Sequence, residues 1–245
     1  MNFKRIKLTA IIGISILPFQ VSAKNAVIVQ DSINFSIENG QAIVVGVEYG
    51  LKYALIPDSV TYNWKKYPVT KIGNEAFNGY KMGNDSLRAV QLPKTLVSIG
   101  NNAFVNCKRL KEMIVPSSVK EICASAFYGC DSIKKMSLPE GLEYIGEEAF
   151  YDCSQIEDME IPSTVKVLMP MAFCGCSSWK HAEVPKAITL LPRGVFSSCG
   201  FEEFTVLEWV NTIEDVAFAE CKDLKYIYLP KTLEYIGGDC FVGCI

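Results

Sequence analysis

Residues 124–153 read ASAFYGCDSIKKMSLPEGLEYIGEEAFYDC. The stretch opens on Ala126-Phe127-Tyr128-Gly129-Cys130 and closes on Ala149-Phe150-Tyr151-Asp152-Cys153, one period of 23 residues later. The phenylalanine recurs along the chain at 77, 104, 127, 150, 173, 196, 218 and 241, at intervals of 27, 23, 23, 23, 23, 22 and 23 residues. A fixed period of this size identifies a solenoid, in which each copy stacks on the next and neighbours supply the core that one copy cannot enclose alone.

Each position of the period has a physical task. Ile133, Met136 and Leu138 form an I-x-x-M-x-L pattern, followed by Pro139. Its last two apolar residues alternate and face one side of a short strand. Proline removes a backbone donor and ends strand pairing at a set place. Equivalent triplets are Leu87/Val90/Leu92, Leu110/Met113/Val115, Ile156/Met159/Ile161, Trp179/Ala182/Val184 and Leu224/Ile227/Leu229, each followed by proline. A second apolar pair comes next, such as Leu142/Ile145, then a turn that often holds glycine, then Ala-Phe. The alanine marks a close approach of two backbones, and the phenylalanine fills the interior.

The full phrase, A-F-x-x-C-x-x-L-x-x-[IM]-x-L-P-x-x-L-x-x-I-G-x-x-A-F, resembles the BspA-like class of leucine-rich repeats over about residues 43–244. Residues 57–76 are similar to the usual opening repeat of that class. The resemblance implies a leucine-rich repeat solenoid, formally of the α/β class but β-rich, with parallel strands stacked every 23 residues or so. It also implies an extracellular or cell-surface protein with a role in adhesion.

The ends differ from the repeat. Residues 1–23 have a basic start (Lys4, Arg5, Lys7), an apolar stretch from Leu8 to Leu17, and Val21-Ser22-Ala23. This reads as a secretory signal peptide, with an apolar run too short to span a bilayer. Cleavage after Ala23 removes three basic residues and no acidic one, taking the formal charge from −3 to −6. An acidic exported chain does not suit nucleic acid. Residues 24–56 alternate and contain Asn39-Gly40, a hairpin signal, and are expected to form an N-terminal β cap. Residues 57–245 form the repeat solenoid. The insertion at 79–86 reads as a surface loop. The copy after Phe196 is one residue short and carries Leu207 where proline belongs, so a local bend is expected there. The chain stops at Cys244-Ile245, halfway through a copy, and an apolar rung is expected to lie open.

Cysteines 107, 130, 153, 176, 199, 221 and 244 share one position of the period. Stacked copies would hold them in a column of parallel, buried thiols, a geometry poorly suited to disulfides. Cys123, Cys174 and Cys240 fall off the column, and a bridge between Cys240 and Cys244 stays open. No cofactor and no metal site is implied: there is no C-x-x-C pair and only one histidine. Catalytic motifs are likewise missing from the sequence, so no enzyme is expected.

The residues able to recognise something are those pointing outward from the strands. One column runs Ala89, Glu112, Lys135, Asp158, His181, Glu203, Tyr226. The other runs Gln91, Ile114, Ser137, Glu160, Glu183, Thr205, Tyr228. Their middle is acidic (Asp158, Glu160, Glu183, Glu203) and their C-terminal end aromatic (Tyr226, Tyr228). Glu160 and Glu183 are expected to be direct cross-strand neighbours. These residues, with His181, form the candidate binding face, for a basic protein segment or a cation, with a solvated acidic surface as the competing reading. The leading function is an exported binding module for a protein or glycan. The alternative is an accessory part of an envelope assembly that docks, or self-associates, through its C-terminal rung.

Overall fold

The structure is a computed structural model and describes residues 27–81 and 86–244. The signal-peptide reading and the tip of the 79–86 insertion lie outside the described residues. An antiparallel meander comes first: β1 (Val27–Gln30), β2 (Ile33–Glu38) and β3 (Gln41–Val47). Its second turn is Asn39-Gly40, with φ of 50° and 79°, the left-handed pair that a two-residue hairpin of this kind requires. β4 (Tyr53–Leu55), β5 (Ser59–Tyr62) and β6 (Lys65–Ile72) lead into the repeats. β3 pairs in parallel with β6, which joins the meander to the solenoid.

Beyond β6 the rungs share one plan, which the segments at 158–160 and 181–183 break. A three-residue strand sits at the first apolar triplet, as at Glu112–Ile114 and Lys135–Ser137. It ends before Leu138-Pro139, where the lost donor was expected to stop it. A two-residue strand follows at the second apolar pair, as at Glu121–Ile122 and Tyr144–Ile145. Copies pair in parallel one period apart: Met136 with Met113, Ile145 with Ile122. The third side of the coil is built of turns, and the described residues contain no helix.

That third side is held by hydrogen bonds between rungs. The Phe127 N–H donates to the Ala149 carbonyl (2.8 Å) and the Phe150 N–H to the Ala172 carbonyl (2.8 Å). Backbones meet at this position, which is alanine in six copies, Val195 in one and Cys240 in the last. Close approach explains Gly146, where a Cβ would lie 2.6 Å from the Ala124 nitrogen. With backbones locked in register, the phenylalanines stack: neighbouring ring centroids from Phe77 to Phe173 lie 4.9–5.5 Å apart and within 14° of parallel. That separation sits just above the ~4.8 Å strand spacing. All seven rings from Phe77 to Phe218 are fully buried.

The cysteines form the expected column, and all ten are free thiols, Cys240 and Cys244 included. They do more than fill space. Each column thiol donates to the phenylalanine carbonyl of the rung before: Cys130 to Phe104 (3.0 Å), Cys153 to Phe127 (3.1 Å), Cys199 to Phe173 (3.2 Å). The Phe127 carbonyl also accepts the Cys130 N–H (3.1 Å), so both its lone pairs are used. Burial pushes the Cys153, Cys176 and Cys199 thiols well above their ordinary range, and the Cys221 thiol up to about 12.

The stack has one seam. In the second strand column pairing runs from β6 to Val167–Leu168 and stops; a new sheet begins at Leu190–Leu191. In regular rungs the residue after this strand donates backward, as Gly146 does to Ile122 (2.8 Å) and Met169 to Ile145 (3.0 Å). Pro192 stands at that position and has no N–H to give. In the first column the ladder lapses at the neighbouring place. Asp158 still bridges to Lys135, but residues 181–183 pair with neither flank. Here Trp179 occupies the Leu/Ile position, and its indole Nε1–H donates to the Met159 carbonyl (2.9 Å). The N–H of Met136 points to the following rung, to Asp158 (3.3 Å). N–H and C=O of one strand residue point the same way, so the Met159 carbonyl is the group that the following strand would have used. Glu160 and Glu183 are therefore not cross-strand neighbours, contrary to the sequence expectation. The turn side keeps its backbone hydrogen bonds across the seam, with the Phe173 N–H donating to Val195 (3.1 Å).

Beyond Phe196 the rings leave the parallel stack: Phe196 and Phe218 are tilted by 32°. Trp179, Phe201 and Phe204 pack between them and Phe173. In the last rung Leu229, Ile236 and Val242 are exposed.

Phe150→Ala removes a ring sandwiched on both faces, and a loss of about 3–5 kcal/mol is expected in urea or guanidinium unfolding. The thiol column makes a second prediction. A thiol whose folded pKa is raised contributes stability that is full below the unfolded pKa and is lost as pH rises toward the folded value. The unfolding midpoint should fall from about pH 9 upward, and Cys221→Ala should flatten that fall; a flat profile in the unmodified chain would contradict the buried column.

Candidate functional site

In each three-residue strand the central side chain points inward and its neighbours outward, as with buried Met113 between exposed Glu112 and Ile114. The structure exposes all fourteen residues of the two outward columns. The register is as read from the sequence where the ladder is intact: Glu112 beside Lys135, Glu203 beside Tyr226, Thr205 beside Tyr228.

The seam opens a groove of about 900 Å³ in this face. Its floor is apolar, with Met159, Ile161, Ala182, Val184, Phe204 and Trp209. Its rim carries Glu140, Glu160, Glu183, Glu203, His181 and Lys186. Four of the seven candidate residues (Glu160, His181, Glu183, Glu203) thus line one feature. Asp158 lies two positions from Glu160 on the same rung. Tyr226 pairs with Glu203, and Tyr228 with Thr205, which lines the groove.

The charges on the rim are unbalanced. The basic residues flanking the strand column are engaged with other acids: Lys134 with Glu157 (3.1 Å), Lys180 with Asp223 (2.8 Å), Lys225 with Glu202 (3.1 Å). Among the described residues, Asp158, Glu160, Glu183 and Glu203 make no ion pair. Glu140 is held by Ser163, whose hydroxyl donates to it (3.0 Å).

Trp209 went unnoticed in the sequence. Its equivalents are Thr95, Ser118, Gly141, Thr164, Ala187 and Thr232, so it is the only large residue in a column of small ones. It reaches back one rung, where Nε1–H donates to the Pro185 carbonyl (3.1 Å), and it lines the groove. The signal was present in the repeat alignment, as was the pairing of an oversized Trp179 with an undersized Ala182. Among the described residues no group of three or more His, Cys, Asp or Glu side chains is disposed to hold a metal ion. Among them, too, no helix is long and apolar enough to cross a membrane.

The family described as the BspA type leucine-rich repeat region matches in six copies, over residues 70–202 and 143–245. A leucine-rich repeat protein from Bacteroides ovatus is 34% identical and superposes with a TM-score of 0.77, over 86% of this chain and 55% of that one. A leucine rich cell surface protein from Faecalibacterium prausnitzii is 28% identical, with a TM-score of 0.77 over 85% of this chain and 55% of that one. A leucine-rich repeat protein of T. pallidum shares the fold at 23% identity, with a TM-score of 0.68 over 87% and 86% of the two chains. This chain thus spans little more than half the length of the first two. No curated protein matches it.

Amides in an intact ladder are protected from exchange and those in a lapsed one are not. In native hydrogen exchange the amides of residues 181–183 should exchange at least tenfold faster than those of residues 135–137; equal protection would mean that the strands are paired after all.

Proposed function

Since the chain belongs to the BspA-type leucine-rich repeat family, we propose that it is an exported, non-enzymatic binding module whose strand face recognises a protein. The observation that carries this reading is the set of uncompensated carboxylates around an apolar groove, with two exposed tyrosines on the adjoining rung. Turn-side hydrogen bonds keep the rungs in register even across the seam, so these groups are displayed at fixed spacing and little ordering cost is incurred on binding. Tyrosine supplies contact area with few rotors, and carboxylates without internal partners favour a basic counterpart. Export is supported by the basic-then-apolar character of residues 1–23 and by the cell-surface description of the Faecalibacterium relative.

Two measurements test this. Expression with culture and envelope fractionation should yield an exported product whose N-terminal residue is Lys24; a cytoplasmic product starting at Met1 would contradict it. An array of extracellular-matrix proteins and polysaccharides probed with the exported chain should give protein ligands. Their affinity should drop at least tenfold in Glu160→Lys/Glu183→Lys and in Tyr226→Ala/Tyr228→Ala, and should fall with added salt. Unchanged affinity in both variants would remove the strand face from the binding surface.

A further inference from the structure

We propose that the seam is a docking groove for an extended peptide segment with basic side chains, which pairs its main chain with the open backbone of residues 181–184. The inference rests on the strand face being the binding surface, and it adds the class of ligand and its mode of attachment.

The first observation is the state of the backbone. In the rung at 112–115, residues 112–114 are in the ladder and the Val115 N–H donates to the Ser137 carbonyl (3.0 Å). At the equivalent positions His181, Ala182, Glu183 and Val184, no N–H donates to any described residue and no carbonyl accepts from one, so a partner strand would both receive from and donate to this backbone. Unpaired donors near an apolar floor carry a desolvation cost when shielded from water. A partner's carbonyls would relieve it. On the preceding rung the Met159 carbonyl is already held by Trp179.

The second observation is shape. The groove is built where the ladder is missing, and its floor residues Met159, Val184 and Phe204 are the inward-facing side chains of three successive rungs. Trp209, anchored to the Pro185 carbonyl, lines it too. A cleft whose open N–H groups face one edge at every second residue matches an extended main chain, whose carbonyls on one side repeat at about twice the strand rise of 3.3 Å.

The third is charge. Glu160, Glu183 and Glu203 stand on the rim without an ion pair, against one lysine, Lys186. A strand laid in the groove turns alternate side chains toward the rim, so lysine or arginine at every second position meets the carboxylates.

The test uses the whole chain and three capped peptides: alternating Lys–Val, the same peptide N-methylated at alternate backbone nitrogens, and alternating Glu–Val. Affinities are read by calorimetry and amide protection by hydrogen exchange. The Lys–Val peptide should bind and slow exchange at residues 181–184. N-methylation should weaken it at least tenfold, as should Glu160→Lys/Glu183→Lys in the protein, and the Glu–Val peptide should not bind. Equal binding of the N-methylated peptide, protection appearing elsewhere, displacement of the peptide by a neutral oligosaccharide, or no binding at all would overturn the proposal. Trp179→Leu/Ala182→Met restores the residues of a regular rung, and it should close the groove and abolish peptide binding in a folded protein. If that variant keeps full affinity for a protein ligand that Tyr226→Ala/Tyr228→Ala loses, the strand face stands as the binding surface and the groove falls.

Discussion

The phenylalanine carbonyl in each turn is the point on which the structure depends. It accepts the backbone N–H three residues on and the thiol of the next rung, while the phenylalanine's own N–H reaches the next alanine. These bonds fix the distance and rotation between rungs. Once they are made, the rings have no choice but to stack, and the strand residues fall into straight columns. The side chain donor has to be small and buried, and a cysteine meets both demands in a place where serine would cost more to desolvate.

Against that regular frame, the candidate site is a departure. Trp179 puts an indole where leucine or isoleucine stands elsewhere, and Ala182 gives up the volume. The indole N–H must be satisfied in the core, and it takes a carbonyl from the ladder. Pro192 withdraws a donor from the other strand column at nearly the same height. Two unrelated substitutions thus open both sheets at one level while the turn side continues. The acidic rim sits over that opening, between rungs that the turn side keeps in register.

How much of this was legible depended on whether the feature belonged to the period. Phe127, Cys130, Met136 and Ile145 are read correctly because eight copies report on the same environment, and the outward columns follow from strand alternation alone. Asn39-Gly40 was legible for a local reason, its left-handed φ pair. The seam was not read, although its residues were in view. Trp179 and Ala182 were aligned with the other triplets as if equivalent. A pattern of apolar positions does not distinguish an indole with a proton to place from a leucine without one. The pairing expected of Glu160 and Glu183 failed for that reason. The thiol donors were hidden for a similar one: a buried cysteine suggests volume first, and its weak donor shows only when the carbonyl opposite is located.

The seam also bears on how the array holds together. Nearest-neighbour contacts supply the stability of a stacked repeat, so the weakest junction sets where it parts. Here one junction keeps its turn-side bonds and aromatic cluster but lacks both sheets. The chain therefore behaves as two cooperative blocks joined by a hinge of rings, and heat or tension should separate them before either melts. A strand seated across that junction would act as a splint, so that occupancy of the groove stiffens the whole rod.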